Sequence, residues 1–291
     1  EDLAGKIHLG AVREVAAVIE AHAEDGVARL DQREVSRGIG LTTRVRLHVR
    51  VVGSEEFLRA VDGELLRDVH ELAAAVGALG RSGLTAWIGL HLAEVKAGQT
   101  ILISAATGPV GSVAGQLAKR AGLRVIGVAG GADKCRHAVV TLGFDACIDH
   151  TAPNIEVQLA EAADGIDVLF ENVGVPSLDP ALSAMKYGSQ IMLCGLAAHY
   201  NDEVPMVLKN YKALLYKSLR LQAFVTADYM PLFQQGLQEI ATALKAGALH
   251  VDHSYFDGLE NAPSAFLNML GGTGLGKRLI RLHPETEDIH A

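Results

Sequence analysis

The chain has 291 residues, 49% of them hydrophobic, enough to bury large cores, and its length fits two domains. A formal charge of -8 argues against a nucleic-acid surface, and three cysteines, Cys135, Cys147 and Cys194, fit a reducing compartment and exclude a disulfide framework. No secretory leader pattern is visible at Glu1, so a cytoplasmic protein is expected.

Seven arginines fall between Arg29 and Arg59. Their alternation reads as a solvated strand face, with a patch for an anionic substrate as the weaker reading. The run 97–118 carries no charge and has the length of a membrane span. Gly108, Pro109, Gly111 and Gly115 interrupt it, so a strand, a turn and a helix explain its apolarity better, and no membrane partner is expected.

That run is the most informative part of the chain. Ile101 to Ser104 reads as a buried strand, Ala105-x-x-Gly108-x-x-Gly111 as a tight turn, and Val110, Val113, Ala114, Leu117 and Ala118 as the apolar face of a helix. Strand, glycine turn and helix start together make a phosphate site: the backbone turns sharply, a pyrophosphate comes close, and the helix start offers N–H groups and a positive dipole end. Ala105, Gly108, Val110 and Gly111 are therefore candidate cofactor contacts. The pattern repeats downstream: strand Leu123–Ala129, helix Ala132–Leu142 ended by Gly143, strand Ala146–Asp149, helix near Ile155–Ala163, strand Ile166–Glu171, then a helix and the strand Gln190–Cys194. Repeated βα units of this size imply an α/β fold, a doubly wound parallel Rossmann sheet.

The end of the second strand selects the dinucleotide. NAD-type sites place an acid there for the adenosine ribose. Here Val128-Ala-Gly-Gly-Ala132 has none, and Lys134 follows. Its ammonium suits the 2′-phosphate of NADP(H), with Gly130 leaving room; the other reading is a solvated lysine on the first turn of a helix. His150 and Arg136 are weaker candidates for the same phosphate.

Gly83-Leu-Thr-Ala-Trp-Ile-Gly-Leu90, Val95-Lys-Ala-Gly98, Ser104 to Gly115, Ala129-Gly-Gly-Ala-Asp-Lys134, Leu142-Gly-Phe-Asp145, Phe170-Glu-Asn-Val-Gly174, Cys194-Gly-Leu-Ala-Ala-His-Tyr-Asn201, Gly258-Leu-Glu-Asn-Ala-Pro263 and Leu275-Gly-Lys277 occur in order. As a set they resemble the zinc-free medium-chain dehydrogenase/reductases, in the branch of leukotriene B4 12-hydroxydehydrogenase/prostaglandin reductases, 2-alkenal reductases and curcumin reductase. The resemblance implies a GroES-like β-rich catalytic domain beside the Rossmann domain, with a partial catalytic domain at 1–80, the nucleotide domain at 81–247 and a return to the catalytic domain at 248–291. It implies NADPH-dependent reduction of a carbon–carbon double bond conjugated to a carbonyl in a small molecule. Hydride goes to the β-carbon and the enolate is stabilised by hydrogen bonds. A quinone reductase and a non-catalytic NADPH-binding remnant are the alternatives.

On the resemblance, Tyr200 is the catalytic candidate, placed to donate to the substrate oxygen and reach the nicotinamide ribose; a loop tyrosine packed beside the sheet is the competing reading. Asn172, Gly174 and Cys194 fall along the cofactor, Asn172 reading equally as a turn residue. Phe224 and Val225 match a segment whose backbone meets the carboxamide. Thr85 either contacts the cofactor or caps a helix. No metal site is expected, because the cysteines lack ligand spacing, the structural four-cysteine lobe is absent and the twelve histidines are scattered. Similar enzymes dimerise through the edge of the nucleotide domain, and Ser218–Val225 is the segment that fits such an edge strand, an internal strand being the alternative.

The chain also departs from the family. Ile7–Val12, Ala17–Glu20 and Leu58–Asp62 resemble parts of its N-terminal domain, but what normally precedes Ile7 is missing and Glu24–Phe57 matches poorly, so that domain is expected to be incomplete or altered. Gly274 stands where the family often has an asparagine on the nicotinamide side, and Arg81-Ser82 replaces a more apolar pair.

Overall fold

A computed structural model describes residues 77–200 and 206–281. The expectations for the catalytic domain before residue 77, including the arginine-rich stretch, and for Asn201 lie outside the described residues.

Helix α1 (Arg81–Leu92) leads into β1 (Thr100–Ile103), α2 (Gly111–Arg120), β2 (Arg124–Ala129), α3 (Ala132–Val140), β3 (Ala146–Asp149), α4 (Ile155–Ala162), β4 (Ile166–Glu171), α5 (Val175–Ala184), β5 (Met185–Leu193), the short α6 (Lys212–Tyr216), β6 (Arg220–Ala223) and α7 (Phe233–Lys245). The strands form one sheet in the order β3-β2-β1-β4-β5-β6, every neighbour parallel. The order reverses between β1 and β4, so their carboxyl ends open the crevice where such sheets take ligands.

Alternation along the strands covers both faces. Ile101, Ile103, Val125, Val168 and Phe170 share a core with residues of α1, α2 and α7, while Leu102, Ile126, Leu169 and Ile191 pack with Leu159, Leu178 and Leu182 of α4 and α5. Side chains buried to this degree contribute about 1.5–3 kcal/mol each. This is the doubly wound arrangement expected, and the uncharged run 97–118 folds into β1, the turn and α2. Among the described residues no helix is long and apolar enough to cross a membrane.

Strands β1 and β2 and the end of β5 fall within one residue of expectation, and three boundaries differ by more. Helix α3 stops at Val140, because Thr141 and Leu142 both donate their N–H to the carbonyl of His137, which closes the helix two residues early. Strand β5 starts at Met185, five residues before Gln190; a register shift between its pairings to Ile166 and Val168 absorbs the extra length. Strand β6 covers only Arg220–Ala223, is an edge strand, and leaves all four residues exposed.

After α7 the chain leaves this sheet. Strands β7 (His253–Asp257) and β8 (Lys277–Arg281), with α8 (Ala262–Leu270) between them, pair in parallel, and among the described residues only with each other. The Arg281 guanidinium lies 4.4 Å from the Tyr255 ring centre and caps the small sheet.

Candidate cofactor site

The turn after β1 is built from backbone. Ala105 takes a left-handed conformation (φ 48°), its carbonyl receives the Gly108 N–H at 2.9 Å, and Ala106 donates to Val128 O on β2 at 3.0 Å. A β-carbon on Gly111 would fall 2.3 Å from the Ala105 carbonyl oxygen, so only glycine lets the helix start lie this close to the turn. Val110 is the N-cap residue, and no side chain caps α2. Gly108, Pro109 and Val110 remain partly exposed. An uncapped helix start behind a turn of small residues is a cradle for an anion.

Beside it, at the end of β2, the charge is positive. The Lys134 ammonium donates to the Gly272 carbonyl and lies close enough to the Arg278 guanidinium that burial and this second cation hold it below the usual lysine range. Neither cation has a carboxylate partner among the described residues, whereas Arg136 is paired with Asp133. Gly130 sits against His150, with 3.0 Å between a built β-carbon and its Nε2. Asp149 binds the Gly131 N–H at 2.8 Å and the Thr151 hydroxyl at 2.6 Å, and these donors hold its carboxyl below the ordinary range. Gly130 and His150 thus lie against each other, while Lys134 meets Gly272 and Arg278.

Arg278 was missed. It lies 144 residues from Lys134 in sequence (278 - 134), on β8, and reads there as one more alternating basic residue. The signal for it was Gly274, where the family often has asparagine. A β-carbon on Gly274 would come within 3.2 Å of the Arg278 Nη2, so the small residue leaves the guanidinium its place.

The ends of β4 and β5 are organised differently. Glu171 is fully buried, and its Oε1 accepts from the Ser104 hydroxyl (2.9 Å), the Val173 N–H (2.6 Å), the Gly174 N–H (2.8 Å) and the Ser177 hydroxyl (2.8 Å). Its Oε2 is buried without a partner, and burial pushes the carboxyl up from its ordinary value. Asn172 donates its side-chain amide to Ser104 O at 2.8 Å, while its Oδ1 accepts from the Cys194 thiol at 3.1 Å. It ties the ends of β1, β4 and β5 together. The Cys194 thiol is pushed up to about 12 by burial and by Glu171, so it is no nucleophile at neutral pH. Gly174 (φ 106°) lets the His199 ring lie against the backbone, where Nε2 accepts the Val175 N–H at 2.9 Å. The Glu171 network was also missed, since sequence pattern does not show which acid a sheet will enclose.

The remaining candidates are scattered around this edge. Tyr200 ends the short 3-10 turn Ala197–His199 and is 67% exposed. Thr85 is not a helix cap: it lies inside α1, bonds back to Arg81 O at 2.9 Å and meets the Thr226 hydroxyl at 2.7 Å. The Phe224 ring is core, edge-on to Phe170 and Tyr229, and Val225 is exposed.

This is the architecture of a dinucleotide-binding oxidoreductase domain, and comparison with known proteins agrees. A family model described as zinc-binding dehydrogenase matches residues 109–248. The chain is 41% identical over 219 residues to the NADPH-dependent curcumin reductase of Escherichia coli (strain K12), covering 72% of this chain and 63% of that protein. It is 33% identical over 245 residues to a 2-alkenal reductase (NADP(+)-dependent) of Nicotiana tabacum, covering 81% and 71%. The crystal structure of CurA from Vibrio vulnificus in complex with NADPH matches with a TM-score of 0.69 and 39% identity, over 73% of this chain and 65% of that chain. The chain belongs to the medium-chain dehydrogenase/reductases, in the zinc-free branch of the curcumin, 2-alkenal and prostaglandin reductases. The chain spans just under two thirds of the curcumin reductase's length.

The donor set at the strand ends does not fit the zinc of the family model's description. Cys194 is turned into the Asn172 bond, and among the described residues the one grouping of three metal-ligating side chains is His137, His250 and Asp252, which shares no residue with this edge.

Proposed function

We propose that this chain carries the nucleotide domain of an NADPH-dependent reductase of carbon–carbon double bonds conjugated to a carbonyl. The observation that carries the cofactor assignment is the Lys134–Arg278 cation pair at the end of β2, without a carboxylate partner among the described residues, where an NAD site would place an acid. The reaction is argued from the relatives, a curcumin reductase and a 2-alkenal reductase.

In this reading the uncapped start of α2 holds the pyrophosphate over Ala105, Gly108, Val110 and Gly111, and Lys134, Arg278 and His150 hold the 2′-phosphate. The backbone at Asn172, Gly174, Cys194, Phe224 and Val225, with Thr85, lines the path toward the nicotinamide. NADPH, when bound, supplies the hydride. The Tyr200 hydroxyl donates a hydrogen bond to the carbonyl oxygen of a small conjugated enone or enal as negative charge develops there, without itself losing a proton. The domain division is 1–80 and 248–291 for the catalytic part and 81–247 for the nucleotide part. The exposed edge strand β6 suits a homodimer, testable by whether the chain sediments as 30.8 kDa or twice that.

The test is NADPH oxidation with a medium-chain conjugated enone, run beside NADH, a quinone and Tyr200→Phe. Turnover that prefers NADPH and the enone and falls in the variant supports the reading. Faster quinone turnover makes the chain a quinone reductase. NADPH binding with no turnover of any acceptor leaves a nucleotide-binding protein and overturns the enzyme.

A further inference from the structure

Helix α3 and the connector between α7 and β7 bring together three side chains that the cofactor site does not use. His137 Nε2 lies 2.7 Å from Asp252 Oδ2, and His250 Nε2 lies 3.0 Å from Asp252 Oδ1. The two imidazoles meet edge-on with ring centres 6.0 Å apart, and one ligand atom from each of the three residues lies within 4.8 Å of the other two. We propose that His137, His250 and Asp252 form a binding site for a divalent transition-metal ion, with zinc the best match.

The donor set points to that chemistry. Two imidazole nitrogens and one carboxylate suit zinc, nickel or cobalt and do not suit magnesium or calcium, which want all-oxygen shells. Zinc bonds of about 2.0–2.2 Å put tetrahedral ligands roughly 3.3 Å apart, so around an ion the 2.7 and 3.0 Å His–Asp contacts open slightly and the remaining separation, within 4.8 Å, closes. The imidazole tautomer decides between two states. With Nε2 protonated, both rings donate to Asp252; with Nδ1 protonated, both Nε2 lone pairs and the carboxylate face one point.

The surroundings favour a cation and hold the ligands in place. His137 lies in the last turn of α3, where the helix dipole presents its negative end. The buried Gln116 of α2 clamps the His250 backbone from both sides, accepting its N–H at 2.6 Å and donating to its carbonyl at 2.9 Å. The Asp252 carbonyl accepts the Lys277 N–H at 3.0 Å. His137 and Asp252 are largely shielded, whereas His250 is half exposed, which leaves an entry path and a fourth position for water. An ion here ties the connector leaving the six-stranded sheet to α3.

The experiment is calorimetric titration of the chelator-treated 291-residue chain with zinc chloride, against His250→Ala, Asp252→Asn and a Cys147→Ser control. The expected result is one equivalent bound by the parent and the control, at least about tenfold weaker binding in the two ligand variants, which is the loss typical even of groups that only support a ligand, and no response to magnesium. Zinc should raise the melting temperature of the parent and not of the ligand variants. Near-ultraviolet circular dichroism verifies that each variant is folded. Should Asp252→Asn not fold, His250→Ala, a change at a half-exposed side chain, decides alone. No uptake, or uptake equal in parent and His250→Ala, overturns the site and leaves the three residues as a hydrogen-bonded strap.

Discussion

The two halves of the sheet's carboxyl edge handle polar groups in opposite ways. At β1 and β2 the turn 105–111 leaves an uncapped helix start, and Lys134 and Arg278 stand together without a carboxylate among the described residues. At β4 and β5 the Ser104, Val173, Gly174 and Ser177 donors converge on Glu171, and Asn172 spans Ser104 and Cys194. One half is open to an anion from outside; the other is closed on itself and holds the strand ends in register. Substitutions of the cations in the first half should change binding more than stability, and those in the second half the reverse.

The largest effect is expected in the closed half. Glu171→Leu leaves the Val173 and Gly174 N–H groups without their acceptor and the Ser104 and Ser177 hydroxyls with only their longer bonds to Phe170 O and Gly174 O. At about 1–3 kcal/mol for each buried N–H left unpaired, the loss is on the order of 2–6 kcal/mol in urea denaturation. Glu171→Gln keeps an acceptor oxygen facing the four donors and should cost less than about 1.5 kcal/mol. Equal losses in the two variants would show that the network is not what holds this edge.

Next comes the open half. Gly111→Ala sets a methyl against the Ala105 carbonyl, which is backbone and cannot swing away, whereas a β-carbon on Gly108 would lie 3.1 Å from the same oxygen and needs only a small shift. Gly111→Ala should cost about 1–3 kcal/mol of stability and weaken NADPH at least tenfold, with Gly108→Ala much milder in both; denaturation and fluorescence titration measure the pair.

Smaller again is the cation pair. Lys134→Ala and Arg278→Ala should each weaken NADPH by roughly ten- to a hundredfold, in line with about 1.5–3 kcal/mol for a hydrogen bond to a charged group, and leave NADH unchanged. Stability should hold or rise slightly, since each change relieves two like charges held together. A parallel loss of NADH affinity would place the pair away from the 2′-phosphate.

What the sequence could reveal follows the same division. The open half was legible because backbone needs leave local marks: an apolar strand, small residues at fixed offsets, and a missing acid after β2. The helix and strand periods likewise located β3 and β4 to the residue. The closed half was not legible. Glu171 is one acid among 34 acidic residues, and only the fold shows that it is enclosed by Ser104, just after β1, and Ser177 from α5. Arg278 meets Lys134, and His137 meets His250 and Asp252, across more than a hundred positions, and no local pattern in the chain encodes those pairings. Thr85 shows the limit within one helix, since only the structure tells a residue at a helix start from one bonding back inside it.

The smallest effect is the most specific test of the contrast, because the two halves shift their acids in opposite directions. Asp149, held by donors in the open half, has a carboxyl below the ordinary range. It contributes stability that is present above the unfolded aspartate value, about 3.9, and is lost as pH falls through the native value. Glu171 is raised by burial. Above the unfolded glutamate value, about 4.3, the unfolded chain binds fewer protons than the native one, so stability declines as pH rises toward the native value and levels off beyond it. Urea denaturation across pH should therefore show an acid limb that flattens in Asp149→Asn and a separate decline on the higher-pH side that flattens in Glu171→Gln. If Glu171→Gln instead removes part of the acid limb, Glu171 is ionised with a lowered value, its four donors outweigh burial, and the closed half is held by charge.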